Sequence, residues 1–361
     1  GSVPKILFGS GRLKELPSLA RGFGSHLLLV TGHRSFSDSE SGLWLDAELA
    51  AHGFSVERVS IAVYNRAAQD CAAAGIILAD TKFEVGVAPK PSSGDGRPDG
   101  KPHQGVVLGD EVRLLPVGES VQQIVESGED LGAVESRAGA GESVPLASVR
   151  LLAPLHPRSL RDFVAFEEHV EGVRQGLPRH REVLPQWYEA PTFYFGNPHS
   201  VLGPEDDVPV PHGCTQLDYE LEVGIVLGRG GRNIRPEDGL DHVFGFTVFN
   251  DWSARDVQGR EMKVGLGPAK GKDFANTLGP SIVTIDEVRD RIDEEGFLEL
   301  AMAVRVNGTE IGRDLLSNMA WPIGDLVAYA PRDSWVQAGD VLGTGTCGNG
   351  GSLAELWGRS G

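Results

Sequence analysis

Cysteine is scarce in this chain: Cys71, Cys214 and Cys347 are the three among 361 residues. They are too few and too widely spaced for a disulfide framework, and none forms a CxxC pair, so a reducing compartment fits best. Basic residues are also the minority, 33 Lys and Arg against 51 Asp and Glu, for a formal charge of -18. That balance opposes general binding to nucleic acid or to an anionic membrane, while leaving room for a local basic pocket around a small acidic substrate. No apolar run approaches the length that crosses a bilayer, and the opening Gly1-Ser-Val-Pro-Lys-Ile6 lacks the charge-then-apolar order of a secretory signal. The expectation is a cytoplasmic protein that engages neither nucleic acid nor membrane.

What is present is an ordinary globular balance, 40% hydrophobic and 23% charged residues, in a chain long enough to bury one large core or two modest ones. His26-Leu-Leu-Leu-Val-Thr-Gly32 reads as a buried strand ending in a turn, residues 43–53 as a helix ending at glycine, and residues 54–63 as a returning strand. No GxGxxG fingerprint follows the first strand and no lysine-bearing Walker pattern occurs, so neither NAD nor ATP is inferred. Gly9-Ser-Gly11 reads as a simple turn. Residues 89–102, rich in Gly, Pro, Ser and Asp, read as a loop that closes an N-terminal α/β or accessory segment, 1–100. Beyond it, Gly105–Leu115 is patterned as a glycine-turned hairpin and Val121–Ser127 as a short helix. From Pro191 onward, short Val/Ile/Leu strands alternate with Gly/Pro turns, with pieces at 243–250, 281–285, 298–306 and 341–343, so this larger part reads as β-rich.

The chemistry-bearing residues stand out against that background. In Leu217-Asp-Tyr-Glu-Leu-Glu-Val-Gly-Ile-Val-Leu227 a strand period of two points Glu220 and Glu222 to one face. Burying two like charges there is costly unless a cation joins them. Further acids and bases follow in Asn250-Asp-Trp-Ser-Ala-Arg-Asp256 and Gly267-Pro-Ala-Lys-Gly-Lys-Asp273. Each acid taken alone reads as a solvated surface carboxylate, but the joint pattern favours a metal-dependent enzyme. Cys347, close to these motifs, reads as a free structural thiol because no basic partner accompanies it.

Five separated motifs, Arg161-Asp-Phe-Val-Ala-Phe-Glu-Glu-His169, Leu217-Asp-Tyr-Glu-Leu-Glu222, Phe249-Asn-Asp-Trp-Ser-Ala-Arg-Asp-Val-Gln258, Gly267-Pro-Ala-Lys-Gly-Lys-Asp-Phe274 and Leu342-Gly-Thr-Gly-Thr346, together resemble the fumarylacetoacetate hydrolase family over about residues 105–361. Two other likenesses fall in the first hundred residues. Ile6–Leu16 through Leu28–Gly32 resembles the opening of iron-dependent alcohol dehydrogenases, and Ala74–Glu84 is similar to a segment of phosphoribosyl-aminoimidazole succinocarboxamide synthetases. Neither of these two carries its family's remaining sites, so neither activity is transferred.

The hydrolase resemblance implies an α+β, β-rich fold with a mixed β-sheet and β-roll, preceded by the small α/β segment. It divides the remainder into a small pre-catalytic region, 101–155, and a catalytic domain, 156–361, and it implies a homodimer. It places Asp162 from a helix start, Glu220 and Glu222 from one strand and Asp251 from the end of another around a divalent cation. An all-carboxylate set favours Mg²⁺ or Ca²⁺, with Mn²⁺ also suited, over thiol-liganded zinc. If 162–169 is helical, Asp162 and His169 lie about two turns apart on one side. His169, which alone would read as an exposed helix histidine, becomes the general base, Glu355 the acid that orients it, and Lys272 the cation that neutralises an oxyanion or enolate. Arg255, Gln258, Tyr194 and Thr346 become substrate-binding candidates, although a salt bridge from Arg255 to Asp256 or another acid is an equal reading. The implied reaction is hydrolysis of a carbon–carbon bond in an acylpyruvate or fumarylacetoacetate-like diketo acid. The same platform suits a 2-oxo-acid decarboxylase or isomerase, and a noncatalytic metal-binding or interaction module is the remaining alternative.

Overall fold

The computed structural model describes residues 103–116, 118–129, 131–139, 141–176 and 182–360, together with residue 51 and the backbone of strands His26–Thr31, Ser55–Ser60 and Phe83–Pro89. The expected helix over 43–53 apart from residue 51, the turn at Gly9-Ser-Gly11, the expected loop over 89–102 apart from Pro89, which ends a strand, Cys71 and most of the two N-terminal likenesses lie outside the described residues. His26–Thr31 and Ser55–Ser60 pair in parallel as a two-stranded sheet.

The main sheet has twelve strands and is largely antiparallel. Its path runs Ser143–Pro145, Glu111–Leu114, His103–Leu108, Phe83–Pro89, Asn276–Thr284, Val243–Asp251, Leu221–Leu227, Val341–Gly343, Leu160–Phe163 and Phe193–Gly196. Val201–Leu202 joins beside Asn276–Thr284, and Val149–Leu152 beside Phe83–Pro89. The fold is α+β with a curled sheet, as the family resemblance implies. Phe83–Pro89, which precedes the expected boundary at residue 100, is a member of this sheet through Val283↔Phe83 and Ile282↔Glu84.

Leu221–Leu227 shows why the centre of the sheet can hold acids out of water. Val223, Ile225 and Leu227 pack into one apolar cluster with Phe246, Leu326 and Leu342, while Val226 packs into another with Phe249, Leu278 and Val341. With both faces covered, each such aliphatic side chain contributes about 1.5–3 kcal/mol, and the same covering strips water from Glu222 in that strand. The expected hairpin is present as His103–Leu108 against Glu111–Leu114, turning at Gly109-Asp110. The helix Val121–Ser127 follows, opened by a reciprocal cap in which Gln123 N donates to Ser120 Oγ at 3.1 Å and Ser120 N donates to Gln123 Oε1 at 3.0 Å.

One expectation is overturned. Asp162 does not start a helix; it lies in the strand Leu160–Phe163, and the helix that carries His169 begins later, at Glu167–Gln175. Leu160–Phe163 is paired in parallel with Val341–Gly343 and antiparallel with Phe193–Gly196. Its backbone groups are therefore taken on both sides by neighbours, leaving none for an internal helical ladder.

The helix Glu167–Gln175 packs against the C-terminal helix Leu353–Ser360 across glycines. A Cβ on Gly172 would run into Glu355 Cγ, and one on Gly358 would run into the Gly172 carbonyl. Glycine at these two positions lets the helices approach closely enough to set Glu355 beside the turn that carries His169. No helix among the described residues is long and apolar enough to cross a membrane.

Candidate metal centre

Three acids converge from three strands: Asp162 in Leu160–Phe163, Glu222 in Leu221–Leu227 and Asp251 at the end of Val243–Asp251. Each offers an oxygen within 4.8 Å of the others, and all three residues are buried. Gly343, opposite Asp162 in the parallel pair, makes room for the cluster, since a Cβ there would run into Asp162 Oδ1 and sit 2.6 Å from Phe249 Cε1.

The remaining bonds aim these acids. Glu222 accepts from Gly345 N at 3.0 Å and from Thr346 Oγ1 at 3.2 Å. Asp251 Oδ2 accepts from the Tyr194 hydroxyl at 2.6 Å and from the Lys272 ammonium. Asp162 Oδ1 and Asp251 Oδ1 are buried without a hydrogen-bond partner. Two buried, unsatisfied carboxylate oxygens beside a third acid fit a hard divalent cation, which takes oxygen donors and offsets their repulsion.

Glu220, expected as a fourth ligand, lies beside this group rather than within its three converging oxygens. Its Oε2 accepts from Lys272, its Oε1 accepts from Arg255 Nη2 at 2.6 Å, and the same Oε1 is 3.7 Å from His169 Nε2. The Lys272 ammonium is thus shared between Glu220 and Asp251.

Electrostatics divide the acids in the same way. Burial pushes Asp162, Glu222 and Asp251 above the usual carboxylate range; Asp162 adds to the effect on Glu222, while Lys272 opposes but does not cancel it at Asp251. Burial also acts upward on Glu220, yet Arg255 and Lys272 outweigh it and hold that carboxyl well below its ordinary value. Burial disfavours the charge on Lys272, but Asp251 and Glu220 reverse the effect and raise it.

These directions fix a pH dependence. A carboxyl raised in the folded state contributes stability that is complete below its unfolded value and is lost as pH rises through its folded value; Glu220 contributes above its unfolded value and loses this as pH falls. A cation requires the ionised forms of Asp162, Glu222 and Asp251. The rise in melting temperature on adding Mn²⁺ to the chelator-treated protein should therefore be larger at about pH 8 than at about pH 5.5, by several degrees. Equal rises at the two pH values would contradict this reading.

His169, on its helix, and Glu355, on the C-terminal helix, are both buried. His169 Nδ1 faces Glu355 Oε2 at 3.8 Å and Nε2 faces the Glu220 side of the cluster. Glu355 Oε1 is paired with Arg359 Nη2 at 2.7 Å. The two ring nitrogens therefore have different surroundings, an acid behind and the carboxylate cluster in front.

Of the expected substrate contacts, Tyr194 and Thr346 are tied to acids of this centre, Arg255 to Glu220 beside it, and Gln258 to Arg255. Tyr194 donates to Asp251 and Thr346 to Glu222. Arg255 donates from Nε to Asp218 Oδ2 at 2.7 Å, from Nη2 to Glu220 and from Nη1 to Gln258 Oε1 at 3.0 Å. Its salt bridges are to Asp218 and Glu220 rather than to Asp256, whose carboxylate accepts instead from Thr215. Lys270 is exposed and paired with Asp273 at 2.9 Å. Cys347 is buried 3.3 Å from the Met302 sulfur, and burial pushes its thiol up, which makes it inert. Asp218 is the residue sequence reasoning passed over, although it stands on the same period of two as Glu220 and Glu222.

The family model described as fumarylacetoacetate (FAA) hydrolase C-terminal matches residues 159–360, more than half of the chain and every acid of the centre. The chain belongs to this family. A second family model, SAICAR synthetase, matches residues 44–112. Among curated relatives of this fumarylacetoacetate hydrolase family member, oxaloacetate tautomerase FAHD2A, mitochondrial, of Homo sapiens is 31% identical over 232 residues, covering 63% of this chain and 69% of that protein. Fumarylacetoacetase of Dictyostelium discoideum is 28% identical over 246 residues, covering 56% of this chain and 57% of the relative. Among solved structures, maleylpyruvate hydrolase from Sphingobium sp. SYK-6, in complex with manganese (II) ion and pyruvate, shares the fold with a TM-score of 0.53 at 23% identity, over 73% of this chain and 89% of that one. The family likeness and the acidic centre support a metal-dependent hydrolytic role in this family.

Proposed function

We propose that the chain hydrolyses a carbon–carbon bond in a 1,3-diketo acid of the acylpyruvate or fumarylacetoacetate type. The observation that carries this reading is the meeting, in one buried cluster, of Asp162, Glu222 and Asp251 with the Lys272 ammonium and the His169–Glu355 pair. Those three acids would hold a divalent cation, Mg²⁺ or Ca²⁺ with Mn²⁺ an alternative, which when bound supplies Lewis-acid polarisation of the substrate oxygens.

His169 takes a proton from water at Nε2, while Glu355, facing Nδ1, orients the ring and stabilises the imidazolium that results. The oxygen of that water bonds to the acyl carbon. The bond from that carbon to the adjacent methylene carbon then breaks, its electron pair leaving as the enolate of pyruvate for an acylpyruvate, or of acetoacetate for the fumarylacetoacetate type. Return of the proton to the enolate carbon gives pyruvate, or acetoacetate in the second case, and a carboxylic acid. Lys272 stabilises the negative charge on the adduct and then on the enolate. In this reading Arg255, Tyr194 and Thr346 hold the acids, Gln258 holds Arg255, and the four line the substrate's path. The catalytic region, 156–361, works as a cytoplasmic homodimer, with 101–155 and 1–100 as preceding segments.

A second reading is favoured by the name of the human relative, oxaloacetate tautomerase. Tautomerisation needs the same enolate stabilisation and a proton moved between carbon and oxygen, with no water added. The deciding experiment is product-resolved turnover of an acylpyruvate panel and oxaloacetate with Mg²⁺, Mn²⁺ or chelator. Metal-dependent release of pyruvate plus a carboxylic acid supports hydrolysis. Interconversion of keto and enol oxaloacetate without cleavage replaces it with tautomerisation, and release of CO₂ replaces it with decarboxylation.

A further inference from the structure

Asp218 is buried with four donors on its two oxygens. Its Oδ1 accepts from Tyr219 N at 2.8 Å and from Leu353 N at 2.8 Å. Its Oδ2 accepts from Ala354 N at 3.0 Å and from Arg255 Nε at 2.7 Å. Leu353 and Ala354 open the C-terminal helix, so the carboxylate sits where otherwise unpaired helical amides and the positive end of the helix dipole favour an anion. The next amide, Glu355 N, donates to Ser352 Oγ at 3.2 Å, and the backbone there is bridged to the chain at Glu220↔Ser352. One buried acid therefore grips the helix that carries Glu355 and, through the fork of Arg255, the carboxylate of Glu220.

We infer that Asp218 is a positioning residue that sets the spacing of His169 between Glu355 and Glu220 without itself touching the reacting atoms. The two acids that face opposite sides of the His169 ring, at 3.8 Å from Nδ1 and 3.7 Å from Nε2, are both tied to it. Gly172, one turn beyond His169 on the same helix, has no Cβ to meet Glu355 Cγ, so the helix that carries Glu355 lies close against that turn. Loss of the Asp218 grip therefore frees the start of that helix, and with it the distance from Glu355 to the ring. The kinetic part of this inference rests on the hydrolase reading; the structural part does not.

Asp218→Asn tests it with the least change of shape. Whichever side-chain atom becomes nitrogen, an amide donor then faces two existing donors, so two hydrogen bonds are replaced by repulsion. Measured in the full chain with Mn²⁺, with folding checked by circular dichroism, kcat should fall about 10- to 100-fold while KM changes less than about threefold. Adding Asp218→Asn to Glu355→Gln should lower kcat by less than about threefold further, because both act through one pair. The imidazole ¹⁵N signals of His169, assigned by their loss in His169→Ala, should move in Asp218→Asn as they do in Glu355→Gln, since the acid facing Nδ1 selects the tautomer.

Losses that multiply in the double variant, or His169 signals identical to the parent's, would overturn the inference. If the parent turns over no diketo acid, the hydrolase reading falls and the ¹⁵N signals alone judge Asp218. Should Asp218→Asn not fold, Asp218→Glu keeps the charge, displaces the oxygens by one methylene and is held to the same outcomes.

Discussion

Asp251→Asn is expected to abolish Mn²⁺ binding at concentrations that saturate the parent and to lower kcat/KM by on the order of 10³-fold or more. Asp251 has one oxygen buried without a partner and the other shared by Tyr194 and Lys272. Asparagine keeps the shape but removes a charge from the group of three acids and leaves the Lys272 ammonium with Glu220 as its remaining ion-pair partner among the described residues. The variant should still fold, because burial already pushes Asp251 toward its neutral form and the amide imitates that form. Calorimetric titration with Mn²⁺ and a thermal melt separate the two effects. Parent-like Mn²⁺ affinity in a folded Asp251→Asn protein would remove this residue from the centre.

His169→Ala is expected to cost kcat about 10²- to 10⁴-fold, the range for a positioned general base, with Mn²⁺ affinity within about threefold of the parent. The split follows from placement: the imidazole is outside the group of three acids and faces it across Glu220. Glu355 is left with Arg359 as its ionic partner, so the deletion does not strand a buried charge. Steady-state kinetics on the best diketo acid, beside metal titration, measure both quantities. Turnover that survives His169→Ala with release of CO₂ would assign the proton transfer elsewhere and replace hydrolysis with decarboxylation.

Much of the local architecture is legible in the chain. The apolar run ending at Leu227 announces its strand, and the hairpin after Gly105, the helix Val121–Ser127 and the strand Val341–Gly343 stand where patterning expects them. Ser120 and Gln123, three residues apart, form a helix-opening pair that operates without help from tertiary contacts. Asp162 to His169 misleads because its apolar spacing suits a helix, whereas two neighbouring strands claim the backbone of Leu160–Phe163. Asp218 was equally visible on the row of Glu220 and Glu222, but its importance comes from Leu353, Ala354 and Arg255, which are distant in sequence.

By itself the sequence determined which functional groups this protein owns and which of them share a strand face, because periodicity is a property of neighbouring residues. Only the tertiary structure decided their partners. Val341–Gly343 enters the sheet between Leu221–Leu227 and Leu160–Phe163, and that non-sequential order carries Asp162 toward Glu222. Packing of the C-terminal helix against Glu167–Gln175 places Glu355 behind His169, and the fold hands the Lys272 ammonium to Glu220 and Asp251. Electrostatic strength depends on distance through space and on exclusion of water, and both are set by the sheet's order and the cover on its two faces.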